Sequence, residues 1–223
     1  MVKRILFVLS SADRTLTGSQ TGWYLPEAAH PYYVLAPKYE IDFAAPKGPN
    51  PPVDESSVEG YPDDRGFLTD PAVAKLLSTA KLLSEVSAAN YDAIFYVGGQ
   101  GPVLDLATDP VNAKLASDFF NSGKITAAVC HGPVAFDMAT TPGGEPIVKG
   151  KRLTCFTNDE ETDMGTAKNL PFLVEDKLVS LGAIFEKTKV WGVKVVVDGT
   201  LITGQNPASA KAVGEAIDQA LSA

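Results

Sequence analysis

A cysteine and a histidine stand side by side at the end of an apolar run, in Ile125-Thr-Ala-Ala-Val-Cys130-His131-Gly-Pro133. The run predicts a buried strand, and Gly132 and Pro133 predict a helix directly after it, because Pro is favoured in a first helical turn. A nucleophile on such a turn exposes its reactive atom above the carboxyl edge of the sheet. We therefore predict a nucleophilic thiol at Cys130, with a pKa lowered by the helix dipole. The alternative is that Cys130 is a small buried core residue.

A second turn, Tyr96-Val-Gly98-Gly99-Gln-Gly-Pro102, follows another apolar run. A Gly-Gly pair at this place leaves backbone N–H groups free above the sheet. If the N–H groups of Gly99 and His131 converge, they form an oxyanion hole beside the Cys130 sulfur. The segment is not a phosphate-binding loop, because it has neither the Lys-Ser/Thr of a Walker motif nor the GxGxxG spacing.

Carboxylates complete the candidate site. Glu27 lies among apolar residues, where a carboxyl group tends to stay protonated and can donate a hydrogen bond to a thiolate. The alternative is an exposed residue on a helix. In Cys155-Phe-Thr-Asn-Asp159-Glu160-Glu161 a short predicted strand leads into three adjacent acids, one of which could orient His131. The residues alone do not choose among the three, and Cys155 is expected to pack rather than react.

Three aromatic residues are candidates for the walls of a pocket. They are Trp23, Tyr24 and Trp191, although aromatic side chains more commonly pack in a core.

Metal and disulfide chemistry have little support in the sequence. The chain has two cysteines and two histidines, and no CxxC, HxxxH or HExxH motif occurs. Two cysteines exclude a disulfide scaffold, and the usual zinc spacings are missing. We therefore predict no metal site.

Length and charge restrict the classes of protein and partner. The chain has 223 residues, 45% of them hydrophobic, and a formal net charge of −8. This composition is typical of a globular protein, and the negative charge makes nucleic acid and anionic membranes poor partners. The first apolar run, Ile5–Leu9, is shorter than the ~7–15 residues of a signal-peptide core, so we expect a cytoplasmic protein.

Short apolar runs alternate with helical patterns along the chain, which predicts an α/β fold with a doubly wound, mostly parallel sheet between helices. The predicted strands are Ile5–Leu9, Ile41–Ala45, Ala93–Val97 and Ile125–Val129, with a hairpin of Val193–Val197 and Leu201–Thr203. The predicted helices are 23–35, 70–83, 110–121, 170–181 and 207–221. Residues 46–67 are rich in Pro, Gly and acids, and we predict an insertion loop there within a single domain of residues 1–223.

Several motifs resemble those of a known family. Ala-Ala-Val-Cys130-His131-Gly-Pro, Val-Gly98-Gly99-Gln-Gly and Glu27-Ala-Ala-His-Pro are similar to motifs of the ThiJ/PfpI superfamily, which has the flavodoxin-like, class I glutamine amidotransferase-like fold. The tail Asp-Gly-Thr-Leu-Ile-Thr-Gly-Gln-Asn-Pro-Ala-Ser209 resembles its branch of heat-shock-protein-31-like chaperones and glutathione-independent glyoxalases (glyoxalase III). The similarity extends from Lys3 to about Ala220.

The resemblance implies a role for each candidate. Cys130 corresponds to the nucleophile, His131 to its acid/base partner and Glu161 to the acid that completes the triad. Glu27 corresponds to the buried carboxylic acid beside the cysteine, and the N–H groups of Gly99 and His131 to the oxyanion hole.

Two features depart from the glyoxalase-like pattern. Glu160 stands where those members have a small residue, which leaves open a triad acid shifted by one position. Residues 46–67 also have a composition of their own, so the shape of the lid and the size of the substrate do not carry over.

The implied activity is the lyase-type conversion of methylglyoxal and water to lactate (glyoxalase III, or D-lactate dehydratase, type) without glutathione, a metal or an organic cofactor. The implied partners are a small dicarbonyl substrate, a second copy of the chain and unfolded protein clients, with neither nucleic acid nor membrane. The alternatives are a holdase chaperone or oxidative-stress sensor that uses Cys130, and a cysteine hydrolase (deglycase, amidase or peptidase).

Overall fold

The fold is built around one large sheet. The computed structural model describes residues 2–223, and in this range seven strands form a sheet in the order β3-β2-β1-β4-β5-β9-β8, while β6 and β7 pair separately. The strands are β1 Arg4–Val8, β2 Glu40–Ala45, β3 Lys81–Leu82, β4 Ala93–Tyr96, β5 Ile125–Val129, β6 Arg152–Leu153, β7 Ile184–Phe185, β8 Val195–Asp198 and β9 Leu201–Gly204. Neighbouring strands are parallel, except that β8 runs antiparallel to β9.

Helices cover both faces of the sheet. The α-helices are α1 Leu25–Leu35, α2 Glu55–Gly60, α3 Gly66–Thr69, α4 Pro71–Ser78, α5 Gly101–Leu104, α6 Pro110–Asn121, α7 Asn158–Met164, α8 Val174–Ser180 and α9 Ala210–Ser222. Short 3₁₀ helices span Pro62–Arg65, Leu83–Glu85, Ala88–Asn90, Leu106–Thr108, Gly132–Phe136, Ala167–Asn169 and Pro207–Ser209. Along the part of the chain that the structure describes, no helix has the length and apolar character needed to cross a lipid bilayer.

The central strands are buried on both sides, as their continuous apolar runs predict. In β1 the side chains of Ile5 and Phe7 belong to the core beneath α1 and α9. Those of Leu6 and Val8 belong to the core beneath α6 and α8. Each fully buried side chain of this size adds about 2 kcal/mol to the free energy of unfolding, because its apolar surface is removed from water. The two cores hold the strand ends rigidly, which suits a site at the carboxyl edge.

The predicted fold class is confirmed, and three local predictions are wrong. The helix predicted over 70–83 ends at Ser78, and Lys81–Leu82 instead extend the sheet as its edge strand beside β2. The helix predicted from Leu170 begins at Val174, because Leu173 is extended. Cys155 begins no strand; the N–H of Phe156 donates to the carbonyl of Cys130 at 2.8 Å, which ties this segment to the strand-to-helix turn.

Residues 46–67 contain α2 and a 3₁₀ helix and pack against the segment before α1. The N–H of Trp23 donates to the carbonyl of Pro52 at 3.0 Å, and the N–H of Asp54 donates to the carbonyl of Trp23 at 2.9 Å. Gly22 permits this approach, since a Cβ there would lie 2.1 Å from the Pro52 oxygen. These contacts bring Asp54 and Ser56 to the carboxyl edge of the sheet. The assignment of residues 1–223 to a single domain stays a prediction.

Candidate functional site

Cys130 occupies a constrained turn directly after β5. Its φ is 60°, a left-handed conformation that costs a non-glycine residue roughly 1–3 kcal/mol and is common at active sites. Two backbone hydrogen bonds hold the turn: the N–H of Cys130 donates to the carbonyl of Gly204 at 2.9 Å, and its carbonyl accepts from Phe156. Gly132 is required next, because a Cβ there would lie 2.6 Å from the carbonyl oxygen of Tyr96. The thiol therefore has a fixed position at the sheet edge.

His131 connects the thiol to a carboxylate. Its Nδ1 lies 3.2 Å from the Sγ of Cys130, and its Nε2 lies 2.5 Å from Oε1 of Glu161. The other oxygen of Glu161 accepts a hydrogen bond of 2.7 Å from the hydroxyl of Thr166. Burial acts to raise the pKa of Glu161, but the hydrogen bond and charge of His131 and the bond from Thr166 outweigh it, so that the pKa is lowered. The ionised carboxylate can therefore orient the imidazole.

The structure distinguishes the three adjacent acids of α7. Glu161 faces His131, whereas Asp159 pairs with Lys187 at the surface. Glu160 points the other way and is fully buried. It completes a capping box with Thr157, whose N–H donates to Oε2 of Glu160 at 2.9 Å. The spacing along a helix explains the difference, because consecutive residues project in different directions.

Glu27 lies in the first turn of α1 with its carboxyl group fully buried beside Cys130. Gly98 makes room for it, since a Cβ there would lie 2.3 Å from Oε2 of Glu27 and 2.8 Å from the Cβ of Cys130. Neither oxygen makes a well-formed hydrogen bond with any group in residues 2–223. Burial raises the pKa of Glu27 well above its ordinary value of 4.5, and the nearby thiol and the Gly98 N–H offset this only partly. The raised pKa favours the protonated form of this carboxyl group, which can donate a hydrogen bond.

The predicted lowering of the thiol pKa by a helix dipole is wrong. The element after Cys130 is a five-residue 3₁₀ helix, Gly132–Phe136, too short for a substantial dipole. Burial raises the pKa of the Cys130 thiol, negative charge on Glu27 would raise it further, and the N–H of Gly99 lowers it. The resting thiol therefore needs a base at the moment of reaction, and Nδ1 of His131 is in place to be that base.

The backbone N–H groups of Gly99 and His131 are the two predicted donors of the oxyanion hole. Gly99 has a φ of 93°, and a Cβ there would lie 2.5 Å from the carbonyl oxygen of Gly22, so only glycine fits. Neither Gly99 nor His131 donates its N–H to a backbone carbonyl within the described range 2–223. The oxyanion-hole role of these two groups stays a prediction.

A cavity of about 290 Å³ opens above the thiol. Its walls combine aromatic and apolar side chains with small polar ones: Ser19, Gln20, Tyr24, Glu27, Asp54, Ser56, Gly99, Gln100, Cys130, His131, Phe156, Met164, Thr166, Asn169, Trp191 and Pro207. As far as residues 2–223 are concerned, no lysine or arginine lines it. Of the predicted wall residues, Tyr24 and Trp191 line the cavity, whereas Trp23 lies in the core.

Sequence reasoning missed two residues that shape the site. Thr166 holds the outer oxygen of Glu161, and Phe156 stacks on His131 with ring centroids 4.5 Å apart. Thr166 follows Gly165, whose left-handed conformation ends α7 and turns the chain back towards Glu161. Gly165 in the sequence is a signal that could predict the turn at the end of this helix. It could not predict the hydrogen bond from Thr166 to Glu161.

No three His, Cys, Asp or Glu side chains are arranged to hold a metal ion in the stretch from Val2 to Ala223. Cys155 is fully buried and does not line the cavity.

Comparison with known proteins places these features in a family. A glutathione-independent glyoxalase of Saccharomyces cerevisiae is 33% identical over 93% of this chain and 93% of its own length. The crystal structure of glyoxalase III from Candida albicans matches with a TM-score of 0.86 and 29% identity, over 98% of this chain and 97% of that one. The Rapid Encystment Protein 24 kDa of Francisella tularensis matches with a TM-score of 0.93 and 32% identity, over 98% of this chain and 99% of that one. The model of the DJ-1/PfpI family matches residues 27–219, and the chain belongs to that family.

Proposed function

We propose that the protein is a glutathione-independent glyoxalase, a lyase that converts methylglyoxal and water to lactate. The observation that carries the proposal is the hydrogen-bonded series Cys130–His131–Glu161 at the base of a cavity, with the protonated Glu27 beside the thiol. The similarity to glyoxalases over nearly the whole chain supports the same activity.

The first step joins the thiol to the aldehyde. Nδ1 of His131 takes the thiol proton as the sulfur of Cys130 bonds to the aldehyde carbon, and the aldehyde oxygen becomes the hydroxyl of a hemithioacetal. The N–H groups of Gly99 and His131 stabilise the negative charge that develops on this oxygen. Since all the atoms of methylglyoxal are retained, the step needs no other reactant.

The second step moves a proton between two carbons. A base removes the C–H proton of the hemithioacetal to give an enediol, and the neighbouring carbon then takes up a proton, which leaves a lactoyl thioester. His131 is within reach of the sulfur and is our candidate for this base, while the protonated Glu27 is placed to donate a hydrogen bond to the sulfur or the enediol. Water then hydrolyses the thioester, releasing lactate and the free thiol.

The walls of the cavity support independence from glutathione. Glutathione is a tripeptide with two carboxylates, and a site for it would be expected to supply cations or a long groove. In residues 2–223 the lining offers neither lysine nor arginine, and Asp54 adds a carboxylate to it. A small uncharged dicarbonyl suits these walls, and the protein's own thiol takes the place of the thiol of glutathione.

The experiment that tests the proposal is lactate formation from methylglyoxal by the purified protein in buffer free of glutathione and other thiols. Enzymatic assays specific for D- and L-lactate identify the product. We expect lactate of a single configuration to accumulate in proportion to the methylglyoxal consumed. If methylglyoxal is consumed only when glutathione is added, or if no lactate forms, the proposal is wrong.

The small dicarbonyl substrate is part of this proposal. A homodimer, unfolded protein clients and a cytoplasmic location stay predictions from the sequence. A client-aggregation assay with Cys130→Ala separates a chaperone role from the enzymatic one, because aggregation would still be suppressed by a variant that no longer turns over the dicarbonyl.

A further inference from the structure

Glu160 is a fully buried carboxylate that the proposed mechanism does not use. Its Oε2 accepts from the N–H and hydroxyl of Thr157 at 2.9 and 2.8 Å. Its Oε1 accepts from three nitrogen donors: the backbone of Trp191 at 3.0 Å, Nε2 of Gln205 at 3.0 Å and Nδ2 of Asn206 at 2.8 Å. A capping box needs only the contacts with Thr157. The other three therefore connect α7 to the segment that carries Trp191 and to the end of β9.

Trp191 has a backbone conformation that needs support. Its φ is 60°, which is uncommon for a large non-glycine residue. The bond from its N–H to Glu160 restrains the backbone, and its indole Nε1 donates to Oδ2 of Asp163 at 2.8 Å. The carbonyl of the next residue, Gly192, accepts from Asn206 at 2.8 Å. Two members of this network, Glu160 and Asp163, lie on the helix that also carries Glu161.

The indole of Trp191 is the outer member of a series of three rings. It lies 5.6 Å from the ring of Phe156, and Phe156 stacks on His131 at 4.5 Å. Trp191 lines the cavity and is 41% exposed, so it forms the part of the wall between the catalytic imidazole and solvent.

We infer that Glu160 is a positioning residue that fixes Trp191 as the outer wall of the cavity, and that this wall limits the size of the carbonyl substituent that the site accepts. The inference rests on the proposed function for its substrate class, the uncharged 2-oxoaldehydes. A methyl group leaves the wall undisturbed, whereas a bulkier substituent must displace a side chain that is held at both its backbone and its indole nitrogen. Packed walls of this kind discriminate by size because they relax only partially.

Selectivity is measured as the ratio of kcat/KM for phenylglyoxal to kcat/KM for methylglyoxal. Trp191→Ala is expected to raise this ratio about tenfold, the lower end of what a change of pocket volume does. Glu160→Ala is expected to raise it similarly, and Glu160→Gln less, since an amide oxygen can still accept from Trp191. Asp159→Asn is the matched control; it alters an adjacent acid of α7 and should leave the ratio unchanged.

The double variant Glu160→Ala, Trp191→Ala tests whether Glu160 acts through Trp191. If it does, the double variant and Trp191→Ala have the same ratio of kcat/KM for phenylglyoxal to kcat/KM for methylglyoxal. Additive changes, or an unchanged ratio in either single variant, would overturn the inference.

Acrylamide quenching of Trp191 gives a second measurement that needs no turnover. The contribution of Trp191 is the difference between each protein and the same protein carrying Trp191→Phe, which subtracts the buried Trp23. Quenching should increase in Glu160→Ala and, to a smaller degree, in Glu160→Gln, with Asp159→Asn unchanged. Equal quenching in all of them would mean that Glu160 does not hold Trp191. If Glu160→Ala does not fold, Glu160→Gln decides both measurements.

Failure of the proposed function gives a different pattern. If the wild-type protein turns over neither methylglyoxal nor phenylglyoxal, the proposed substrate class is wrong. The quenching comparison still decides whether Glu160 holds Trp191. The rates at which iodoacetamide and N-phenylmaleimide alkylate Cys130 then replace the kinetic ratio. Peptide mass spectrometry measures the extent of labelling by each reagent. A wall at Trp191 predicts that Trp191→Ala accelerates labelling by the bulky reagent more than by the small one.

Discussion

Glu161 holds His131 by a hydrogen bond of 2.5 Å between Oε1 and Nε2, and both side chains are almost completely buried. A carboxylate in this place accepts the Nε2 proton, which leaves Nδ1 as the ring nitrogen that can take up a proton. That is the nitrogen 3.2 Å from the Cys130 sulfur. The pair therefore fixes both the orientation and the tautomer that proton removal from the thiol requires.

Glu161→Gln should reduce kcat for methylglyoxal by roughly 10²–10⁴-fold, because the amide can stabilise neither the correct tautomer nor the imidazolium that forms during catalysis. Steady-state kinetics of lactate formation measure the loss. Asp159→Asn, the neighbouring exposed acid, should retain full activity. A Glu161→Gln enzyme with kcat near the wild-type value would show that His131 does not depend on this carboxylate.

Thr166→Val should have a smaller effect than Glu161→Gln, since it removes one hydrogen bond of 2.7 Å from the outer oxygen of Glu161 and leaves His131 bound. We expect a loss of about 1 kcal/mol in the free energy of unfolding and no more than a tenfold loss in kcat. Urea unfolding and lactate kinetics of the variant measure these two quantities. If Thr166→Val loses as much kcat as Glu161→Gln, the prediction that Thr166 has the smaller effect is wrong.

Glu27→Gln should stabilise the protein increasingly as the pH rises. The folded-state pKa of Glu27 is raised well above the ordinary value of 4.5, so above about this pH the unfolded chain releases a proton that the folded chain keeps. Stability is then lost with increasing pH by up to about 1.4 kcal/mol per unit, until the folded-state pKa is reached. The glutamine has no such proton to release. Urea unfolding of both proteins between about pH 5 and pH 8 measures the difference; a difference that does not vary with pH would mean that Glu27 is ionised in the folded protein.

Lactate should inhibit weakly. The substrate is uncharged and the product is an anion, while the cavity wall contains the carboxyl groups of Glu27 and Asp54 and, across residues 2–223, neither lysine nor arginine. A carboxylate without a cationic partner is unfavourable in such a site. Inhibition constants for D- and L-lactate should exceed the KM for methylglyoxal at least tenfold, the equivalent of about 1.4 kcal/mol. Competitive inhibition near the KM would reveal an anion-binding group that the cavity walls do not show.

The large features of the fold could be predicted from the sequence because they depend on local patterns. The apolar runs of β1 and β5 and the helix over Pro110–Asn121 follow from composition and periodicity, and they are confirmed. The hairpin of β8 and β9 turns at Asp198-Gly199-Thr200, as the Asp-Gly pair predicts. Edge strand β3 could not be predicted, since two residues carry no periodicity of their own.

The candidate site was harder to predict where it depends on contacts between distant segments. The choice of Glu161 over Glu160 follows from the direction in which each side chain leaves α7, and it required the three-dimensional structure or a family resemblance. The partners of Glu160, among them Trp191 and Asn206, lie 31 and 46 residues away in the chain. The direction of the shift in the thiol pKa could not be predicted for a related reason: the burial of Cys130 depends on the surrounding segments, and the helix expected after it is a short 3₁₀ turn.

The central claim is that the sulfur of Cys130 forms the bond to substrate. The most direct test is the rate of lactate formation from methylglyoxal by Cys130→Ala, with Cys155→Ala as the control for the loss of a buried thiol elsewhere. We predict that Cys130→Ala loses at least ~10³-fold in rate, whereas Cys155→Ala keeps the wild-type rate. Equal rates for the wild type and Cys130→Ala would contradict the account.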